Sequence, residues 1–273
     1  MSACLLQGVS AQFNVSGPGF LPDENGMNPD APQPKNVAPN VTAGTVVKDC
    51  PECPEMVVIP AGSFVMGSVK NVDEQPPHAV TVRSFLIGKT EVTQKQWTDV
   101  MGNSPSYFYG CGQDCPVEAV SWDDVGKFIY KLNMKTGQKY RLPSEAEWEY
   151  SARSGTTTEW SFGNDESRLG DYAWYSGNSD GKSHAVMQKL PNKFGLYDMH
   201  GNVWEWVADC YHINYQNAPL NGSSWISSCN GEYAAMRGGS WDLRTNYSRS
   251  AFRQKTSPDS RHYNLGFRLA RDL

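Results

Sequence analysis

The side chains best suited to chemistry gather in the last third of the chain. Gly238-Gly239 precedes Ser240, and paired glycines permit positive φ or close backbone approach just ahead of that hydroxyl. Ser240 and His262 are the candidate catalytic residues. The chain offers no spaced nucleophile, base and orienter, and its histidines (His78, His184, His200, His212, His262) are too scattered for a three-histidine iron site or for zinc. Around these two residues, Trp241-Asp-Leu-Arg-Thr-Asn-Tyr247 and Ser260-Arg-His-Tyr-Asn264 mix aromatics with Arg and Asn. Rigid amphipathic rings beside adaptable polar groups make a recognition surface. Trp241, Arg244, Tyr247, His262 and Tyr263, with Trp204 as a wall, are the candidate ligand-binding residues. Their ligand would be a protein, a glycan or a small molecule in a C-terminal groove.

Two further sets of residues carry chemistry. Asn192 to Glu205 is rich in turns that expose carbonyls and holds carboxylates at Asp198 and Glu205. Hard cations such as calcium take several oxygens from flexible loops, although the same carboxylates could simply hydrogen-bond the turn. The cysteines fall as Cys4 alone and three local pairs, Cys50/Cys53, Cys111/Cys115 and Cys210/Cys229. An even number in the mature chain favours disulfides in an oxidising compartment. The rival for Cys50-x-x-Cys53 is a redox or zinc half-site, but no second such pair follows. A Cys210–Cys229 bridge would contribute on the order of 3 kcal/mol by closing its loop.

The elements that must position these groups are legible in outline. Residues 1–12 resemble a signal-peptide remnant, with Cys4 alternatively a lipid anchor; both place the chain in a secreted or periplasmic setting. Residues 13–48 are Pro/Asn-rich and read as an extended arm or linker able to dock on an envelope protein. The compact domain spans 49–273. Within it, Met56–Ile59 and Ser63–Met66 flank Pro60-Ala-Gly62 as a hairpin, His78–Glu91 holds one or two strands, and Leu265–Ala270 is a closing strand. Thr93-x-x-Gln96, Ser121-x-x-Asp124 and Ser144-x-x-Glu147 are capping boxes that open three helices, the second ending near Gly137 and the third at Gly155. The net charge of -5 gives no basic surface for nucleic acid, and no apolar run approaches the roughly 20 residues of a transmembrane segment.

Seven sequence words occur in order: MVVIPAGSFVMGS (56–68), KTEVTQKQW (89–97), PVEAVSWDD (116–124), RLPSEAEWEYSAR (141–153), FGLYDMHGNVWEW (194–206), RGGSW (237–241) and NLGFRLAR (264–271). With them the chain resembles the formylglycine-generating enzyme (sulfatase-modifying factor) family. The resemblance implies an α+β variant of the C-type lectin fold, with short sheets, about three helices and high coil content. It also implies a structural calcium held by Asp198, Gly201, Val203 and Glu205, with Asp198 standing where some relatives carry Asn. A second calcium site is in doubt, because Trp174 falls at its side-chain ligand. The family's oxidase binds copper(I) through two cysteines after the Gly-Gly-Ser-aromatic word. Leu243 and Ser248 occupy those places here, and soft thiolates are what copper(I) needs, so no copper is expected. Arg237 and Arg268 should sit at buried edges, paired to acids such as Glu147 or Asp259. The implied function is a binding, recognition or assembly module without formylglycine-generating activity; the alternative is a non-copper oxidative enzyme of the siderophore-maturation type. The C-terminal region also resembles that of retroelement-diversified variable proteins.

Overall fold

The computed structural model describes residues 42–229 and 231–273; residues 1–12, Cys4 and the arm up to residue 41 lie outside the described residues. The three capping boxes open three helices: α1 (Gln94–Met101), α2 (Trp122–Thr136) and α3 (Glu145–Arg153). In each, the Thr or Ser hydroxyl accepts from the N3 backbone N–H while the N3 side chain accepts from the cap's own N–H. This reciprocal pair satisfies two of the donors that a helix start leaves free. α2 stops at Gly137, whose φ of 70° is left-handed. In α3 the left-handed cap falls one residue earlier than expected, at Ser154.

Three sheets surround these helices. The first runs β1 (Val46–Val47), β2 (Met56–Ile59), β5 (Phe85–Gly88), β11 (Ala270–Asp272), β6 (Tyr140–Arg141) in spatial order. The second runs β10 (Leu265–Phe267), β7 (Trp204–Cys210), β8 (Ala234–Arg237), β9 (Arg253–Thr256), and the third pairs β3 (Gly62–Met66) with β4 (His78–Val82). The hairpin expected at 56–66 does not form. β2 pairs with β5 and β3 with β4, so Pro60-Ala61 carries the chain between sheets. The burial patterns give the reason: β2 is buried throughout and needs an interior partner, whereas β3 alternates like a half-exposed ribbon. The closing strand likewise divides into β10, parallel to β7, and β11, antiparallel to β5. β1 pairs with β2, so the folded unit takes in residues assigned to the arm.

One core cluster lies where α1 and α2 meet β10: Trp97 stacks on Phe128 at 5.3 Å and meets Phe267 edge-on at 6.2 Å. A second packs α3 against β2 to β5, β7 and β8. α3 buries every residue rather than one face, including Glu145, Glu147, Glu149 and Arg153. All three cysteine pairs form disulfides, so Cys50 and Cys53 are not held as thiolates of a zinc half-site. Among the described residues no helix is long and apolar enough to cross a membrane.

Candidate functional site

The turn before β7 gathers buried carboxylates. Asp198 (φ 59°) and Asn202 (φ 65°) adopt the left-handed conformation that Asx residues tolerate. Between them Gly201 has no room for a side chain, since a Cβ there would lie 2.2 Å from the Trp174 carbonyl oxygen. Asp198 Oδ2 accepts from the Met187 N–H at 2.9 Å, but its buried Oδ1 has no partner. Glu91 accepts from Asn202 Nδ2 at 2.8 Å and the Val203 N–H at 3.1 Å. Glu205 accepts from Arg268 Nε at 2.6 Å and Nη2 at 2.7 Å, and from Trp148 Nε1 at 2.8 Å. Burial pushes Asp198 up to about 6, and burial with the charges of Asp198 and Glu205 pushes Glu91 well above the usual carboxylate range.

This nest is short of positive charge. Among the described residues Arg268 is its one buried cation, supplemented by partly exposed Lys189 near Asp198. Among the described residues no three His, Cys, Asp or Glu side chains converge as a ready ligand group, so a cation here would have to draw on main-chain oxygens. The carbonyls of Gly201 and Val203 are available for that, because no hydrogen bond to either is found among the described residues. The free oxygen of Asp198 therefore fits a hard cation, and Glu205, already bound by Arg268, fits it only with its remaining lone pairs. Arg268 pairs with Glu205 rather than with Glu147 or Asp259. Arg237 pairs with Glu149 and lies 3.4 Å from Glu145, and both arginines are fully buried rather than at an edge. Trp174 gives its carbonyl to the Asn202 N–H and stacks on His184 at 3.8 Å.

The candidate catalytic residues are not joined. Ser240 is fully buried and its Oγ donates to Asp242 at 2.6 Å. His262 is exposed, with Nε2 3.2 Å from Thr256 Oγ1. Trp204, expected as a wall of the mouth, lies in the core at 3% exposure against Phe252, because β7 is flanked by β10 and β8 and its residues are nearly all enclosed. Tyr247 also packs edge-on against Phe252, while Arg244 is exposed. Leu243 packs against the core, and Ser248 is buried with no partner for its Oγ.

What the fold does bring together is an aromatic shelf. Trp241 lies 5.7 Å from Tyr263 and 5.5 Å from Phe108, and Tyr107 lies 5.8 Å from Tyr263. Tyr107 and Tyr263 are 67% and 46% exposed. Glu118 sets the position of the first two rings, accepting from the Tyr107 and Phe108 N–H groups at 2.9 Å each, and the Cys111–Cys115 bridge closes the loop behind them. A groove of about 810 Å³ runs beside the shelf between residues 106–111 and 182–188. Sequence reasoning found Trp241 and Tyr263 but missed Tyr107, Phe108 and Glu118. The signal was the Tyr107-Phe-Tyr109 run inside a Gly/Pro-rich loop.

The small twisted sheets, the three capped helices and the large share of ordered loop define an α+β domain of C-type-lectin-like architecture with a formylglycine-generating-enzyme-like core. Residues 42–273 match the sulfatase-modifying factor enzyme 1-like domain, and the chain belongs to that family. It is similar to the chaperone protein LppX of Paenibacillus barcinonensis, 29% identical over 70% of this chain and 84% of LppX. It also matches serine/threonine-protein kinase pkn1 of Chlamydia pneumoniae at 28% identity, but spans only 39% of that protein. Among solved structures, PvdO from Pseudomonas aeruginosa superposes with a TM-score of 0.78 at 38% identity, covering 85% of this chain and 99% of PvdO. Treponema denticola variable protein 1 gives 0.72 at 33% identity, covering 84% and 99%.

Proposed function

We propose that this protein is a secreted or periplasmic recognition or assembly module that does not generate formylglycine, with calcium as a structural ion. The observation that carries the reading is the pair Leu243 and Ser248, a hydrocarbon and a buried hydroxyl where the family's oxidase places its copper-binding thiolates. The six cysteines of the described domain are all consumed in disulfides, consistent with an oxidising compartment. Ser240 and His262 bond to different partners, which argues against hydrolytic chemistry, while the exposed Tyr107 and Tyr263, backed by Phe108 and the buried Trp241, supply the amphipathic rings of a ligand surface. Calcium would be held by Asp198 with the carbonyls of Gly201 and Val203, and Glu205 would complete the negative charge. An envelope partner would meet the arm that precedes residue 42, and Cys4 would carry a lipid in the anchored form.

The test is direct. Incubation with a cysteine-bearing sulfatase peptide, copper(I) and oxygen should leave the peptide mass unchanged. Conversion of the cysteine to an aldehyde would overturn the reading.

A further inference from the structure

The outward face of α2 carries an apolar stripe that stays open among the described residues. The helix packs its inner face, Val125, Phe128, Ile129 and Leu132, into the core. On the other side Trp122, Gly126, Tyr130 and Met134 follow one another four residues apart, the spacing that keeps side chains on one ridge of a helix. Trp122, Tyr130 and Met134 are 39%, 66% and 71% exposed. Scattered exposed apolar residues are ordinary, but a surface helix normally turns a polar face to water. Trp122 is held in place, since its Nε1 donates to the Val207 carbonyl at 3.2 Å. Gly126 is the unusual member. A Cβ there would meet no atom within 4 Å, so the fold does not require a glycine, and glycine weakens a helix interior. A missing side chain in mid-stripe makes sense if something from outside fills the notch.

Independently of the recognition reading, we infer that a second copy of this chain covers the stripe, with the two α2 helices antiparallel about a twofold axis. The order of the side chains selects that occupant. When the axis passes midway between Gly126 and Tyr130, each Tyr130 enters the partner's Gly126 notch and each Trp122 meets the partner's Met134. A parallel pair would set tyrosine against tyrosine and leave the two notches facing each other. The charges agree. Beside the stripe runs a row of Asp123, Lys127 and Lys131, also four apart, negative at the helix start and positive toward its end. Asp123 pairs with Lys127 at 2.6 Å, and Lys131 has no ion pair among the described residues. Antiparallel docking brings the acidic end of each row beside the basic end of the other and opposes the helix dipoles favourably. Parallel docking would set like charge against like. One helix supplies both matches, as a contact between identical patches requires. A contact built on one 15-residue helix per copy is small beside the roughly 1,200–2,000 Å² of a stable interface, so the dimer is weak and dissociates on dilution.

The experiment is sedimentation velocity of the full chain from about 1 µM to about 500 µM, over which wild type should pass from monomer to dimer. Gly126→Gln fills the notch with a better helix former. It should weaken dimerisation about tenfold while leaving the melting temperature of the dilute protein unchanged or raised, which separates a blocked contact from a damaged fold. Tyr130→Ala, which removes the knob, should weaken it to a similar degree. Asp123→Lys and Lys131→Glu should each weaken the dimer, and the two together should restore it. Val69→Ala, an exposed residue outside α2, should behave as wild type. A wild type that is monomeric at every concentration, a dimer indifferent to Gly126→Gln, or charge reversals that do not rescue each other would overturn the inference. So would a chain that stays monomeric and uses Tyr130 to bind anionic vesicles or an acidic helical peptide.

Discussion

Two buried sets of carboxylates in this domain are handled differently. Under α3, Glu145, Glu149 and Asp209 are accompanied by Arg153, Arg237 and Arg253: Arg253 grips Glu145 through Nε at 2.8 Å and Nη2 at 2.7 Å, and Arg153 and Arg237 hold Glu149. Before β7, Glu91, Asp198 and Glu205 share one buried guanidinium, that of Arg268, and Asp198 keeps a buried oxygen with no partner. The first set is closed at its glutamates: Glu145 and Glu149 are matched by arginines, Asp209 is held by the Glu145 and Trp225 N–H groups, and the network fixes α3 against β8 and β9. The second is open, with negative charge that the chain does not neutralise. A buried ion pair is weak evidence for stability in itself, but removal of one partner leaves an unpaired charge that is costly. The contrast teaches that a matched network is scaffold, and that an unmatched one marks where something from outside belongs.

The largest expected effect strikes the closed set. Arg237→Met leaves Glu149 with less compensation in a fully buried position and should destabilise the protein by about 3–5 kcal/mol in denaturant titration. A loss under about 1 kcal/mol would mean that the network is not the scaffold it is taken for.

Next comes acid sensitivity through His200. Burial lowers this imidazole to about 4, and its ring is fixed at 2.9 Å from the Ser248 carbonyl and 3.1 Å from the Ser161 N–H. The unfolded chain binds a proton near 6.5 that the folded chain refuses, so this contribution is complete above the unfolded value and is lost as pH falls toward 4. Wild type should lose about 2 kcal/mol more than His200→Gln between pH 7 and pH 5. Asp209 opposes it: burial and the charge of Glu145 raise its carboxyl to about 7, so its share of stability is present at low pH and is lost as pH rises through that value. Comparing the pH profiles of His200→Gln and Asp209→Asn should show slopes altered in opposite senses.

The smallest effect belongs to the exposed pair Lys127–Asp123 on α2, a four-residue helix spacing at 2.6 Å. Lys127→Ala should lower the denaturation midpoint only marginally, and the difference should disappear at high salt. A larger loss would blur the distinction between buried and surface charge.

What the sequence disclosed was local. The capping boxes at Thr93, Ser121 and Ser144 depend on residues three apart, and all three open helices. The pairing of β2 with β5 instead of β3 depends on which strand is enclosed on both faces, which neighbouring residues do not encode. The same limit governed the charges. Arg237 and Arg268 were recognisable as paired arginines, but their acids lie across the fold, Glu149 on α3 and Glu205 on β7. Trp204, expected as a ligand wall, is covered by the sheet. The shelf was half legible. Trp241 and Tyr263 stood in recognition-like segments, while Tyr107 and Phe108 reach them only because Glu118 and the Cys111–Cys115 bridge fold their loop inward.

The open set is tested most directly by titrating calcium into chelator-treated protein by calorimetry, with thermal unfolding in parallel. Wild type should bind one ion near the β7 turn and, at about a hundredfold excess over the dissociation constant, gain about 2.7 kcal/mol of stability. Asp198→Ala, which removes the unpartnered oxygen, should show neither heat nor gain. Wild type that ignores calcium, or Asp198→Ala that binds it equally well, would contradict the account.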